Sequence, residues 1–407
     1  MKKNEPLRVS YATTRYGKEE VRAVLDVLRN PTKIVAGLRV HIFEKKIAKL
    51  FGKRFGIMVN SGSSANLLAL SSLNLPKGSE VITPALTFST TLAPIVQLGL
   101  TPVFADVEPG KYIINIHDVE KLITKKTKAL MIPLLLGNVP DLAQLRNLAK
   151  KHNLYFIEDS CDTLGTRFYN KPTGVYSDVS TTSFYASHII TAAGRGGMVL
   201  FNGPLLARRA LLMANWGRES TLYGAHEQSE EIKKRFRKTI AGKRYDGKFI
   251  FSEIGYNFQP TEIEAAFGLE QLKKLPDIEK KRKKNFKRLF SFFQQYNKYF
   301  ILPQSDPRAE VNWLAFPLTL RKEAPFSRFD LSIYLEKHNI QTRPIFTGNV
   351  LRQPGFAHIE KRIQRGGYPI SDHIMQNGIL VGCHHGLEEN HLSHLENVFR
   401  NFLKLYA

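Results

Sequence analysis

From residue 56 onward, short apolar runs alternate with stretches whose apolar positions recur on one helical face, the pattern of successive βαβ units. Gly56–Val59, Glu80–Pro84, Pro102–Val107, Ala129–Leu134 and Leu154–Asp159 read as strands. Ser63–Leu73, Thr90–Leu98, Val119–Thr124 and Asp141–His152 read as the helices between them. This order, without an internal repeat, predicts an α/β fold built on a mostly parallel central sheet. Ligands of such sheets collect at the carboxyl ends of the strands, so the residues just after each apolar run are the candidates for chemistry. Beyond about residue 260 the pattern changes to a long basic helical region, Thr261–Tyr296, interrupted at Pro276, and then to apolar strands such as Trp313–Leu318. Two domains are expected: residues 1–265 as an N-terminal arm with a large domain, and residues 266–407 as a smaller C-terminal α+β domain.

Composition narrows the function classes. The chain has 407 residues, 43% of them hydrophobic, which suits a large folded core. No run approaches the roughly 20 apolar residues of a membrane span, and the first residues lack the apolar stretch of an export signal, so a cytoplasmic protein is expected. Cys161 and Cys383 are the only cysteines, too few for a disulfide framework and without metal-ligand spacing, so no metal site is expected. The net charge of +23 invites a nucleic-acid reading. The basic runs Lys233–Lys238 and Lys280–Lys284 lie in helix-like contexts and read as solvated faces, leaving an anionic small molecule as the better partner and no nucleic acid expected.

Four strand ends carry candidate chemistry. In Val59–Asn66 a strand runs into a Gly/Ser turn that opens a helix, where Ser63 and Ser64 suit a phosphate; good helix capping would look the same. Thr83–Ser89 places Phe88 in a turn, as a stacking surface or a core residue. Ile157–Asp162 ends an apolar strand in acids, with Asp159 fit to pair with a protonated ring nitrogen or to cap the next helix. Ser183–Val199 passes from Ser183 through a turn bearing His188 to glycines that permit close backbone approach.

Together and in order, these segments resemble the DegT/DnrJ/EryC1/StrS family of pyridoxal-phosphate (PLP) sugar aminotransferases. The resemblance is carried by Asn60–Leu68, Glu158-Asp159, Ser183-Phe184-Tyr185, Gly196-Gly197 and Gly255–Ala266. It implies the aspartate-aminotransferase fold, PLP fold type I. It also implies a cofactor phosphate at Ser63, Ser64 and Ser183, a cofactor ring at Phe88 and a pyridine nitrogen at Asp159. Asp162 stands near the ring hydroxyl, where many members have glutamine. Asn257 is implied to reach the phosphate from the other subunit of a homodimer with shared active sites.

One position departs from the family pattern. In Ser-Phe-x-x-x-Lys the lysine that holds the cofactor is the sixth residue, and here that residue is His188. Imidazole cannot form a Schiff base, but it can act as a general base near neutral pH. This combination resembles the sugar 3-dehydratase branch of the same family. The resemblance implies a pyridoxamine-phosphate (PMP) form, proton removal by His188 and loss of the C3 hydroxyl of a nucleotide-linked 4-keto-6-deoxyhexose as water. Trp216-Gly217-Arg218-Glu219 and Thr342–Pro354 also resemble that branch, with Trp216, Arg218, Arg343, Asn349 and Arg352 as substrate-binding candidates. Two cysteines are too few for the iron–sulfur cluster of some branch members. The resemblance therefore favours the cluster-free kind, with glutamate as amino donor and GDP-4-keto-6-deoxymannose as substrate. The rival readings are a sugar aminotransferase whose lysine has been replaced, and a non-catalytic regulator on a retired enzyme fold. Arg195 is left open between substrate contact and solvent, while His384 and His385 read as structural histidines.

Overall fold

The computed structural model describes residues 7–224 and 231–406; the first residues, read above as no export signal, lie outside them. Seven strands form the main sheet: β1 (Phe55–Val59), β2 (Glu80–Pro84), β3 (Thr101–Ala105), β4 (Thr127–Pro133), β5 (Tyr155–Asp159), β6 (Val179–Ser183) and β7 (Gly197–Phe201), in the spatial order β1-β7-β6-β5-β4-β2-β3. Only β7 runs against the others, pairing antiparallel with β1 and β6. The five apolar runs of the sequence are all strands, to within two residues at either end. Alternation along them decides which side each residue faces: Val81 and Met131 join one core and Ile82 and Leu130 the other, so both faces of the sheet are buried under helices.

Up to residue 294 the described helices of seven residues or more are, in chain order, α1 (Lys18–Leu28), α2 (Leu38–Leu50), α3 (Gly62–Leu73), α4 (Ser89–Gln97), α5 (Ile116–Leu122), α6 (Leu142–Lys151), α7 (Pro204–Ala214), α8 (Glu262–Lys273) and α9 (Leu275–Gln294). α5 starts earlier than its apolar pattern suggests because the Asn115 side chain accepts the His117 N–H and caps it there. The interruption expected at Pro276 is a break between two helices: α8 ends at Lys273, and Pro276 sits in the first turn of α9, where its missing N–H has no intrahelical acceptor to lose.

A second, three-stranded antiparallel sheet, with Phe316–Leu320 between Phe300–Ile301 and Gly378–Val381, has its own core. Its central strand starts at Phe316 and not at Trp313, because the carbonyls of Trp313 and Leu314 accept hydrogen bonds from Arg282 Nη1 at 3.0 and 2.9 Å. Arg282 corrects the solvated reading of its basic run: Lys280, Lys281, Lys283 and Lys284 are exposed, whereas Arg282 lies on the apolar face of α9 at 2% exposure. The N-terminal segment packs on this second unit, Val9 exchanging backbone hydrogen bonds with Asn339 and Gln341. Residue 265, the expected domain boundary, lies within α8.

Buried Glu262, at the start of α8, ties the N-terminal helices to the body. Its carboxylate accepts the N–H groups of Gly37, Arg39 and Val40 at 2.9, 3.0 and 2.9 Å, capping α2 from another helix. Glu262→Ala orphans these donors and is expected to lower unfolding free energy by about 2–3 kcal/mol in chemical denaturation. An unchanged midpoint would show that water replaces the carboxylate without loss.

Candidate active site

The carboxyl ends of the central strands open into a cavity of about 640 Å³. Among the sequence candidates, Ser63, Phe88, Asp159, Asp162, Ser183, His188 and Arg343 line it. One side is the start of α3. Ser61 caps this helix through its hydroxyl, which accepts the Ser64 N–H at 3.1 Å, leaving the first N–H groups of the turn without intrahelical partners. Ser63 reaches across to Thr90, Oγ to Oγ1 at 3.0 Å. Gly62 allows this turn to lie against the strand ends: a Cβ there would stand 2.6 Å from Ser183 Cβ and 2.8 Å from Cys161 Sγ.

Opposite this turn, Asp159 ends β5 as a buried carboxylate. Its Oδ2 accepts Asn66 Nδ2 at 2.8 Å and Thr91 Oγ1 at 2.7 Å, and its Oδ1 the Cys161 N–H at 3.2 Å. Thr181 in turn donates to Asn66 Oδ1 at 2.6 Å, which fixes the amide's orientation. Burial, with the Asp159 charge beside it, pushes the Cys161 thiol well above its usual range. Phe88, half exposed, meets Phe346 edge-on with ring centroids 6.1 Å apart.

His188 lies in the turn after β6, its backbone N–H bonded to the Tyr185 carbonyl. Its Nε2 stands 3.8 Å from Asp162 Oδ1, while Nδ1 is buried without a hydrogen-bond partner among the described residues. Burial lowers the imidazole pKa to about 4, against opposing pulls from the Ser183 backbone and, less strongly, the Asp159 charge. Asp162 moves the other way, to about 7, through burial and the Asp159 charge, although its Oδ2 accepts the Leu136 N–H at 2.9 Å.

Other candidates fall elsewhere. Ser64 does not line the cavity, its hydroxyl being engaged with Ser61 at 3.0 Å. Asn349 is buried with its Nδ2 on Asp372 Oδ1 at 2.7 Å, and Arg352 Nη2 binds Asp372 Oδ2 at 2.8 Å; both fix the loop that carries Thr347 and Gln353 into the cavity. Trp216 and Arg218 stack on each other away from the cavity, the guanidinium 4.7 Å from the ring centroid, and Asn257 is exposed. Arg195 lines the cavity while paired to Glu264 at 3.1 Å. His384 bonds Ser10 through Nε2, and neither it nor His385 reaches the cavity. Tyr11 and Gln353 are lining residues that the sequence did not single out. No local signal marks Tyr11, which arrives from the N-terminal segment. Asn66 was discoverable as a polar residue on the buried face of an apolar helix.

Comparison with known proteins places this geometry. Residues 14–400 match the model of the DegT/DnrJ/EryC1/StrS aminotransferase family. The chain is 37% identical over 373 residues to the lipopolysaccharide biosynthesis protein RfbH of Salmonella typhimurium, spanning 89% of this chain and 84% of that one. It is 35% identical over 408 residues to the dTDP-4-dehydro-2,6-dideoxy-D-glucose 3-dehydratase of Saccharopolyspora spinosa, spanning 98% and 87%. Among solved structures, the Escherichia coli GDP-4-keto-6-deoxy-D-mannose 3-dehydratase with bound hydrated PLP superposes with a TM-score of 0.85 at 28% identity, covering 97% of this chain and 100% of that one. The fold is therefore the aminotransferase fold of PLP type I, and the chain belongs to the DegT/DnrJ/EryC1/StrS aminotransferase family.

Proposed function

We propose that this chain is a PLP/PMP-dependent 3-dehydratase of a nucleotide-linked 4-keto-6-deoxyhexose in dideoxysugar and O-antigen biosynthesis, with His188 as the general base. GDP-4-keto-6-deoxymannose is the first substrate to test and glutamate the amino donor. One observation carries the reading: His188 lines the cavity at the family's lysine position, and among the described residues no lysine lines it.

The residues fit the cofactor. A buried, clamped carboxylate stands at one side of the cavity and a hydroxyl-rich helix start at the other, with Phe88 between as a ring surface. When bound, the cofactor supplies an amine and an electron-withdrawing ring. Asp159 holds a proton on the ring nitrogen, and its two donors keep it aimed there. The start of α3 with Ser63 and Ser183 binds the phosphate. His188, kept neutral by burial, accepts a proton at the Nε2 that faces Asp162. Arg343 and Gln353 suit the sugar diphosphate. Asn349 and Arg352 act through the loop they fix, and Ser64 through its contact with Ser61.

Assembly as a homodimer would complete the site. Phe249, Phe251 and Ile254 are exposed beside Asn257, an apolar strip that a second copy would cover. In that assembly Asn257 reaches the phosphate in its partner's cavity, and Trp216 and Arg218 approach the substrate from the same side.

The deciding experiment supplies PLP, glutamate and GDP-4-keto-6-deoxymannose and follows the sugar by mass spectrometry. Loss of the C3 oxygen supports the dehydratase; accumulation of a 4-amino sugar supports an aminotransferase and overturns it. Borohydride reduction with PLP should give no stoichiometric lysine adduct. His188→Asn should bind the cofactor with unchanged absorbance yet lose at least about 10²-fold in dehydration.

The buried histidines also set an acid limit. The pKa values of His188, His384 and His385 are lowered by burial to about 4, 3 and 4. The unfolded chain takes up these protons below about pH 6.5 and the folded chain does not until roughly pH 4, so stability falls as pH drops through that window. Asp162, raised to about 7, runs in the opposite direction and offsets part of the loss. Glu44, Glu158 and Glu279, also raised by burial, offset more of it, so the histidine contribution is read as a difference: between pH 6.5 and 4 the denaturation midpoint of His188→Asn should decline less than that of the wild type. An equal decline in the two would contradict the neutral imidazole at 188.

A further inference from the structure

Proton removal by His188 leaves half of a dehydration unexplained, because the departing hydroxyl must itself gain a proton to leave as water. Asp162 is placed for that task. Its Oδ2 is fixed by the Leu136 N–H, and its Oδ1 has no hydrogen bond among the described residues, facing His188 Nε2 at 3.8 Å across the cavity wall. Both side chains are nearly enclosed, with side-chain exposures of 9% and 16%. Asp159 ends β5, three residues before Asp162, Tyr11 approaches from the N-terminal segment, and Cys161 and Tyr185 stand on the flanking turns. Arg282 is the nearby buried cation; its field works against a proton on His188. A second ionised carboxylate beside Asp159 in so closed a space is disfavoured, which leaves the proton on Asp162 and the imidazole neutral.

We propose that Asp162 is the general acid for the departing C3 hydroxyl and works with His188 as one proton-sharing pair. The inference rests on the 3-dehydratase reading. His188 Nε2 takes the carbon-bound proton, and the electron pair of that C–H bond is drawn toward C3. The C3–O bond breaks with its pair on oxygen, and Asp162 gives its proton to that oxygen, so one water leaves. The pair is then a carboxylate facing an imidazolium. Return of the proton from Nε2 to Oδ1 restores the starting state, and no outside acid or base is consumed. The carboxyl in place of the family's usual amide supplies what glutamine lacks, an ionisable proton.

Two measurements test the pair. Infrared spectroscopy of the cofactor-free protein should show the C=O stretch of a protonated carboxylic acid at pH 6, fading as pH rises through about 7 and absent in Asp162→Asn. A band that is missing at pH 6, or unchanged by the substitution, overturns the proposal. With cofactor, Asp162→Asn should lose at least about 10²-fold in turnover of the C3-hydroxyl sugar. It should keep near wild-type elimination from the C3-fluoro analogue, whose leaving fluoride needs no proton. Asp162→Glu should recover part of the hydroxyl reaction. Equal loss on both sugars would make Asp162 a structural residue. If the wild-type protein eliminates from neither sugar, the dehydratase reading itself has failed, and the acid role falls with it.

Discussion

A carboxylate buried at the end of a sheet strand persists only if its neighbours supply the hydrogen bonds that water gave it, and the cavity of this protein is organised around that requirement at Asp159. The donors come from two helices, Asn66 of α3 and Thr91 of α4, and Asn66 is itself held by Thr181 of β6. Satisfying one carboxylate thus joins two strands and two helices at the point where the sheet opens. The same helix α3 that delivers Asn66 also opens at the cavity, so the carboxylate and the Gly/Ser turn are set relative to each other by one element. Replacement of Asn66 or Thr91 would disturb both.

The field of that carboxylate decides how its neighbours ionise. Asp162, three residues on, and Cys161 between them are both pushed up by burial and by Asp159. His188 is pushed down by burial although Asp159 pulls the other way, so desolvation outweighs attraction there. On the far side, Arg282 is buried with two carbonyls as hydrogen-bond acceptors, and its charge disfavours protonation of His188, His384 and His385 alike. Burial therefore keeps Cys161 and His188 uncharged, and holds a proton on Asp162 up to about pH 7, between the Asp159 carboxylate and the buried Arg282 guanidinium. An uncharged imidazole is a base ready for use, and an uncharged carboxyl is an acid ready for use.

How much of this was legible in the sequence depends on the range of the interaction concerned. Period-two alternation and short apolar runs are local, and they marked β1 to β5 closely because burial on both faces leaves little freedom in what a strand can contain. Asp159 was legible for the same reason, as an acid that ends an apolar run, whereas Ser183 and His188 follow the polar strand Val179–Ser183 and were legible only through the resemblance to the family pattern. Arg282 was misread because a basic run looks solvated from its neighbours, and only the register of α9, with Leu275, Ile278, Asn285 and Leu289 on the same face, shows that it points inward. Tyr11 and the Val9 pairing with Asn339 and Gln341 depend on contacts across more than 300 residues, which no local pattern encodes. Asn349 and Arg352 were singled out without their partner, since Asp372, which holds both, lies 20 residues or more further along.

The loss of lysine at position 188 changes what the remaining residues must do. A lysine amine in this wall would provide both a covalent anchor for the cofactor and a mobile proton carrier, so its neighbours would need only to orient the ring. With imidazole there, the proposed function leaves anchoring to the start of α3 and the Asp159 clamp. Proton handling is confined to what a neutral His188 can accept and what lies within its reach. Asp162 is the titratable group that the fold sets opposite its Nε2. On the proposed acid role, an amide at 162 could not give up the second proton that a carboxyl can, so the histidine and the aspartate would act as one departure from the family pattern in two places.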